Sequence, residues 1–451
     1  MKLNKLFLMA AMGLGLFACS ENELEGNGPD SAQNEGSTYV GFTIDFSKTQ
    51  TRATTESGTD AEQKINTAYV ILADGNTISQ VVSSVDEKSN KYVLQTTPGP
   101  HDFYVVVNPT TAPTTSNTVS GYFNTGVAIG AEEFAKTTAG SESFLMASVK
   151  KETFDIADGI TEKEALEGND AATNNFTINV ERVAAKVTMT CENATLTNAN
   201  NNAGGTITTP KFTLKGGATM SYRMAQSAIN EITGNEWTYT SSSTDVYVKQ
   251  EADDGDNYIY RKAIPVYCLE NLHNNYYQKN TTYVDIETTF TPAKVVNCLD
   301  QLDVTPDNNL KNNSTTGSFF VVRSGEHAQN YLMKSDLLAW QKSKEYVASE
   351  SKEISKNPDH FPAGVESISD EYINGKCFFG PIWIGQATAD APTAPVTRNT
   401  WYNLKITGIT LPGEPSVPQI DPEEPLNPDT NVAITLTVMP WNFIDRPIEL
   451  Q

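Results

Sequence analysis

Basic side chains are scarce. The 451-residue chain carries 32 Lys and Arg against 55 Asp and Glu, a net charge of −23. A surface of that sign is a poor partner for nucleic acid, and no basic stripe offsets it. Histidines number four, at His101, His273, His327 and His360, and none stands in an H-E-x-x-H or beside a nucleophile in a recognisable motif. No P-loop or dinucleotide fingerprint occurs. Cysteine is equally sparse: Cys19, Cys191, Cys268, Cys298 and Cys377 include no C-x-x-C, which argues against zinc. The last four allow three pairings, among which sequence does not choose. Isolated buried thiols are the plain reading, although an exported chain permits a disulfide. Asp253-Asp254-Gly255-Asp256-Asn257 hints at a calcium loop, but Ile264 and Pro265 stand where a twelfth-position Glu is needed. A solvated acidic turn is the simpler account. The expectation is therefore no metal, no cofactor and no enzyme.

Threonine, asparagine, valine and tyrosine recur instead, in short apolar runs separated by polar turns. That composition predicts an all-β protein with minor helix. Strict alternation marks two strands above the others. Val432, Ile434, Leu436 and Val438 share one face near the C-terminus, with Ala433, Thr435 and Thr437 on the other. Near the N-terminus Val40, Phe42, Ile44 and Phe46 alternate with Gly41, Thr43 and Asp45 in the same rhythm. Four such side chains, fully buried, contribute on the order of 6–12 kcal/mol before entropy is charged.

The C-terminal strand hangs on an acidic segment punctuated by Pro412, Pro415, Pro418, Pro422, Pro425 and Pro428. Proline at that density favours extended polyproline II. The nineteen residues Pro412 to Thr430 reach about 60 Å when fully extended. Two arrangements are open: the strand folds back on its own sheet, or it completes a neighbouring molecule.

The N-terminus reads as an export signal. Lys2 and Lys5 precede an apolar run from Leu6 to Phe17, too short to serve comfortably as a membrane span. It ends Leu16-Phe17-Ala18-Cys19. Behind the first strand, Lys48 to Thr59 is small and polar, the kind of tract that proteases nick. Arg52 is the only arginine before Arg182. A cut between Arg52 and Ala53 releases the N-terminal tether and the first strand together. The expected organisation is 1–18 signal peptide, 19–52 propeptide with the first strand, 53–175 first domain, 176–410 second domain, 411–430 proline-rich arm and 431–451 C-terminal strand region. Ser335 is expected to cap a helix from Asp336 to about Val347.

Several segments together resemble the Bacteroidales fimbrillins, the subunits of type V pili, and among them the Mfa-type shaft subunits of Porphyromonas. They are the lipobox-like ending at Cys19, Arg52 behind the first strand, and Val180-Glu181-Arg182-Val183-Ala184-Ala185-Lys186-Val187. Further on they are Val396-Thr397-Arg398-Asn399-Thr400-Trp401-Tyr402-Asn403-Leu404-Lys405-Ile406 and Leu436-Thr437-Val438-Met439-Pro440-Trp441. The resemblance implies two tandem transthyretin-like β-sandwich domains and export as an outer-membrane lipoprotein lipidated on Cys19. It also implies processing at Arg52–Ala53 by an arginine-specific protease. Val40, Phe42, Ile44 and Phe46 then belong to the removed strand. Val432, Ile434, Leu436 and Val438 belong to the donor strand that fills the vacated groove of an adjacent subunit. The implied partners are further copies of the chain, accessory, anchor and tip pilins, and host or bacterial surface receptors. Membrane contact is only through the precursor's lipid. A rival reading is a tip or accessory adhesin, or a glycan-binding surface lipoprotein using exposed Trp237, Tyr239 and Tyr247, whose simpler account is cross-strand packing.

Overall fold

The computed structural model describes residues 37–46, 59–83, 91–125, 127–168, 170–191, 195–196, 204–225, 246–247, 249–252, 258–262, 265–297, 309–324, 327–385, 393–409, 412–426, 436–440 and 448–450. The architecture is all-β with a few short helices. Two sheets succeed one another along the chain.

The first is built from β1 (Thr38–Phe46), β2 (Ala68–Asp74), β3 (Thr77–Ser83), β4 (Lys91–Thr96), β5 (Gly99–Val107), β6 (Met146–Ser148), β7 (Glu152–Ile156) and β8 (Asn175–Arg182). Their order is β3-β2-β5-β6-β8-β1-β4, with β7 also on β5. The near-continuous apolar runs of β2 and β5 have a direct reason, since both faces of these strands are covered. Val70, Leu72, Phe103 and Val105 point into one core with Val40, Phe42 and Ile44. Ile71, Ala73, Tyr104 and Val106 meet Val119, Tyr122 and Phe123 on the other side. Four short helices accompany this sheet: α1 (Asp60–Gln63), α2 (Val119–Phe123), α3 (Glu162–Glu167) and a single turn at Ala131–Phe134.

The second domain is built around β9 (Ala184–Cys191), β10 (Gly205–Lys215), β11 (Val266–Leu269), β12 (Tyr283–Pro292), β13 (Phe319–Ser324), β14 (His327–Met333), β15 (Lys376–Trp383) and β16 (Thr400–Ile409). β17 (Leu436–Pro440) follows, and Ile448–Leu450 adds a last short strand parallel to β16. β9 runs parallel to β16, with Lys186 opposite Trp401 and Cys191 opposite Ile406. β10, β12 and β15 form an antiparallel ladder. The β13–β14 hairpin carries α4 (Lys334–Ser343) and a small core of Val296, Phe320, Val322, Leu332, Leu337 and Val365.

Three features depart from the sequence expectations. β8 extends the first sheet to Arg182, so the chain passes between sheets at Val183 rather than at residue 175 or 176. Its polar Asn174 is a turn residue in the left-handed region at φ 50°, not a boundary. Helix α4 starts at Lys334, and Met333 at its N-cap offers no side-chain acceptor. Ser335 therefore lies inside the helix, which ends at Ser343, and Leu337 is buried in the small core. The proline-rich segment is docked. Glu414 exchanges backbone hydrogen bonds with Phe378 at 2.8 and 2.9 Å, and the Tyr372 hydroxyl donates to the Gly413 carbonyl. Lys279 pairs with Glu423 at 2.9 Å, and Leu426 is buried beside Tyr283, Trp383 and Ala394. Proline removes donors, but the carbonyls and the non-proline amides of this segment still find partners on the second domain.

Candidate functional site: the β1 slot and its surroundings

β1 is an interior strand. Thr38 to Thr43 pair antiparallel with Thr96 to Lys91 on β4. Gly41 to Phe46 pair parallel with Asn175 to Val180 on β8. Both backbone edges of β1 are thus engaged. Val40, Phe42 and Ile44 are buried. The Phe42 ring lies 4.7 Å from Phe103, 6.1 Å from Phe154 and 6.3 Å from Phe176, centroid to centroid. Phe154 and Phe176 stack on each other at 4.1 Å, completing an aromatic floor. The alternation in the sequence corresponds to this one-sided burial.

The N-terminal end of β1 is tied down by side chains. Thr38 Oγ1 donates to the Ala157 carbonyl at 2.8 Å and accepts from the Ile160 amide at 3.0 Å. Asn174 Nδ2 donates to the Tyr39 carbonyl at 3.0 Å.

Arg52, Ala53 and Cys19 lie outside the described residues, and so do Val432, Ile434, Trp237 and Tyr239. Phe46 and Tyr247 are placed by backbone only. The chain resumes at Thr59, which caps α1 reciprocally with Glu62. Glu62 is almost sealed from solvent. Its Oε1 lies 2.8 Å from Lys186 Nζ and accepts the Tyr267 hydroxyl at 2.7 Å. Burial pushes the Glu62 carboxyl up, but the Lys186 ammonium and hydrogen bonds from Lys186, Tyr267 and Thr59 outweigh it and hold the group below its ordinary value. Arg182 Nε donates to the Glu62 carbonyl at 2.8 Å and its Nη1 to Asn399 Oδ1 at 3.1 Å. Burial lowers Arg182 to about 10. The segment on the far side of the polar tract is therefore held against the second domain.

A second charged cluster flanks Val183. Arg398 is held by Glu270, with Nε 3.2 Å from Oε2 and Nη2 3.1 Å from Oε1. Glu181 stands 3.9 Å from Arg398 without a hydrogen bond to its buried Oε1. Burial raises the Glu181 carboxyl to about 7, with Arg398 only partly countering it. Sequence reasoning did not assign roles to Glu62, Tyr267, Glu181 or Arg398. Arg182, Lys186 and Arg398 do sit inside the segments that carry the resemblance, and charged residues within an apolar strand pattern are the available signal.

The C-terminal strand region is folded back in this structure. β17 pairs antiparallel with β16, Leu436 opposite Leu404 and Pro440 opposite Thr400. Cys268 and Cys377 are free and buried, and burial pushes both thiols up to about 12, which leaves them unreactive. Among the described residues no cluster of His, Cys, Asp and Glu could hold a metal ion.

Residues 370–446 match the family described as major fimbrial subunit protein type IV, fimbrillin, C-terminal. That span holds β15, β16, the docked segment and β17. No curated protein matches the chain. Among solved structures the chain is similar to a fimbrilin from Porphyromonas gingivalis W83, at 15% identity over 91% of this chain and 99% of that one, with a TM-score of 0.48. It is also similar to the tip fimbrial protein Mfa3 from Porphyromonas gingivalis, at 12% identity over 90% and 100%, with a TM-score of 0.37.

Proposed function

We propose, from the premise that the chain belongs to the fimbrillins by its C-terminal region (residues 370–446), that it is a structural subunit of a cell-surface fimbria assembled by strand exchange. It is a building element and not an enzyme. The observation that carries the reading is the position of β1. It is paired on both edges and buried in the core, yet the segment behind it contains Arg52 and leads to an anchored Thr59. One cut at Arg52–Ala53 makes this interior strand a separate chain.

Loss of β1 leaves an apolar slot between β4 and β8, each with an unpaired edge. Such edges bind an extended strand by β-augmentation. The C-terminal strand, residues 432–439, is the donor. It peels from β16 and crosses to the next subunit, and the contact repeats head to tail without closing, which generates a filament. Docking of the chain up to Leu426 limits the crossing connection to residues 427–431, about 17 Å when extended. Before processing the chain is an outer-membrane lipoprotein held through Cys19. The fimbria supports adhesion, and its further partners are the processing protease and accessory, anchor and tip subunits.

The test treats the delipidated precursor with an arginine-specific protease, reads the new N-terminus and looks for ladders on an unboiled gel. A terminus at Ala53 with ladders that collapse on boiling supports the proposal. Clean cutting with a persistent monomer overturns the shaft role.

A further inference from the structure

The outer face of the β1 slot is roofed. Helix α3 crosses β1 at Gly41, and a Cβ built there would overlap the Ala165 carbonyl oxygen and stand 2.7 Å from its carbon. Only a residue without a side chain fits beneath the helix. The carbonyls at the C-terminal end of α3 are tied to both banks of the slot. Asn175 Nδ2, on β8, donates to the Ala165 carbonyl at 2.6 Å. Lys91 Nζ, on β4, donates to the Leu166 carbonyl at 2.8 Å. The front of α3 is held differently, by β1 itself. The Tyr39 amide donates to the Ile160 carbonyl at 3.0 Å, and Thr38 bonds the Ile160 amide and the Ala157 carbonyl. A helix of six residues has little stability of its own, so these ties decide where it sits.

We infer that α3 is a strap over the β1 slot which admits a strand with glycine at the Gly41 level and must lift to admit the C-terminal strand. This inference rests on the strand-exchange reading above. Residues 432–439 contain no glycine. With Val432, Ile434, Leu436 and Val438 in the places of Val40, Phe42, Ile44 and Phe46, Ala433 falls under Ala165. A shift by two or four residues brings Thr435 or Thr437 there instead. Every inward-facing register therefore sets a Cβ against the strap. Departure of β1 also removes the three bonds at the front of α3 and leaves the two at its back, of which the Asn175 bond holds the Ala165 carbonyl itself and must yield for a side chain to pass beneath. The slot thus prefers its own first strand until that strand has gone.

The test uses the processed full chain and synthetic peptides of residues 38–46, one native and one carrying Gly41→Ala. Cleavage is run with each peptide in excess, and suppression of ladders is titrated. The native peptide is expected to suppress them at a concentration about tenfold or more lower than the substituted one, because overpacking against backbone is costly. The Lys91→Met, Asn175→Ala protein, whose strap lacks its back ties, is expected to narrow that gap. Hydrogen exchange at residues 162–167 is expected to be faster in ladders than in the precursor. Equal suppression by the two peptides on the native protein, or unchanged exchange of 162–167 in ladders, overturns the strap and leaves the slot standing. Failure of both peptides to suppress ladders overturns the slot reading and the strap with it.

Discussion

Glu62 and Lys186 form a buried ion pair, Oε1 to Nζ at 2.8 Å, with side chains only 2% and 8% exposed. The pair joins the first helix after the polar tract to the first strand of the second domain. It pins the chain just beyond the expected cut: residues 53–58 are the only stretch between Arg52 and the capping Thr59. Release of β1 then need not loosen the rest of the first domain.

Removing one partner of this pair leaves the other charge buried. Glu62→Ala is expected to cost about 3–5 kcal/mol, whereas Glu62→Leu combined with Lys186→Met recovers most of it. Urea unfolding of the native protein, the single variants and the double variant measures this. The pH dependence comes from the depressed Glu62 carboxyl. Its stabilisation is fully present above the unfolded value of 4.5 and is lost as pH falls through the lower folded value. Acid should therefore erode the native protein more than the double variant. Equal acid sensitivity of the two sinks the assignment.

Glu181 acts in the opposite sense. Burial raises it to about 7 from 4.5, so the folded state holds this proton more tightly than the unfolded state. Its effect on stability is favourable at low pH and fades as pH rises from 4.5 to about 7, by a few kcal/mol in total, on the order of 1.4 kcal/mol per unit. Glu181→Gln should flatten the stability profile over that window and be more stable than the native protein at about pH 8. Glu270 continues to pair Arg398, so the substitution strands no cation. A native-like pH profile for Glu181→Gln counts against this account.

Phe42 separates precursor from product. Its ring packs against Phe103, Phe154 and Phe176. Phe42→Ala should cost the uncut precursor about 3–5 kcal/mol in urea unfolding. The processed protein, freed of its first strand, should unfold identically with or without the substitution. A shift carried into the processed form would mean that β1 stays in its slot after cutting.

Much of the fold was legible because local pattern and burial agree. The alternation of Val40, Phe42 and Ile44 is the inward face of β1, and the apolar runs around Ile71 and Val105 mark strands covered on both faces. The misplaced cap at Ser335 arose because Met333 leaves a strand and enters α4 directly, with no side chain needed to satisfy the turn. The docking of Pro412 to Leu426 was hidden because its partners, Phe378, Gln278 and Lys279, are remote in sequence. The same distance hides the Glu62, Lys186 and Tyr267 cluster, and the Arg398 pair with Glu270. A charge in a strand shows only that it must be satisfied. The identity of its partner is a property of the folded chain.

The C-terminal strand is the last point of decision. In this structure β17 covers the edge of β16 through five facing residue pairs, Leu436 to Pro440 against Leu404 to Thr400. That pairing is short, although it sets Leu436 opposite the buried Leu404 and Val438 opposite the buried Tyr402. Replacing Ile434 and Leu436 with Asp is expected to detach this one short strand and leave a folded, processed monomer, with urea unfolding shifted by about 2–5 kcal/mol. The same change places two carboxylates in the apolar slot of the next subunit, where an unpaired charge is not tolerated. Ladders should vanish, and they should return when native protein is added to supply donors. Arg52→Ala should also abolish ladders, but by a different route, leaving β1 in place and the precursor uncut. Normal ladders from the Ile434→Asp, Leu436→Asp protein would remove residues 432–439 from the donor role. Normal ladders from Arg52→Ala would move the processing site elsewhere.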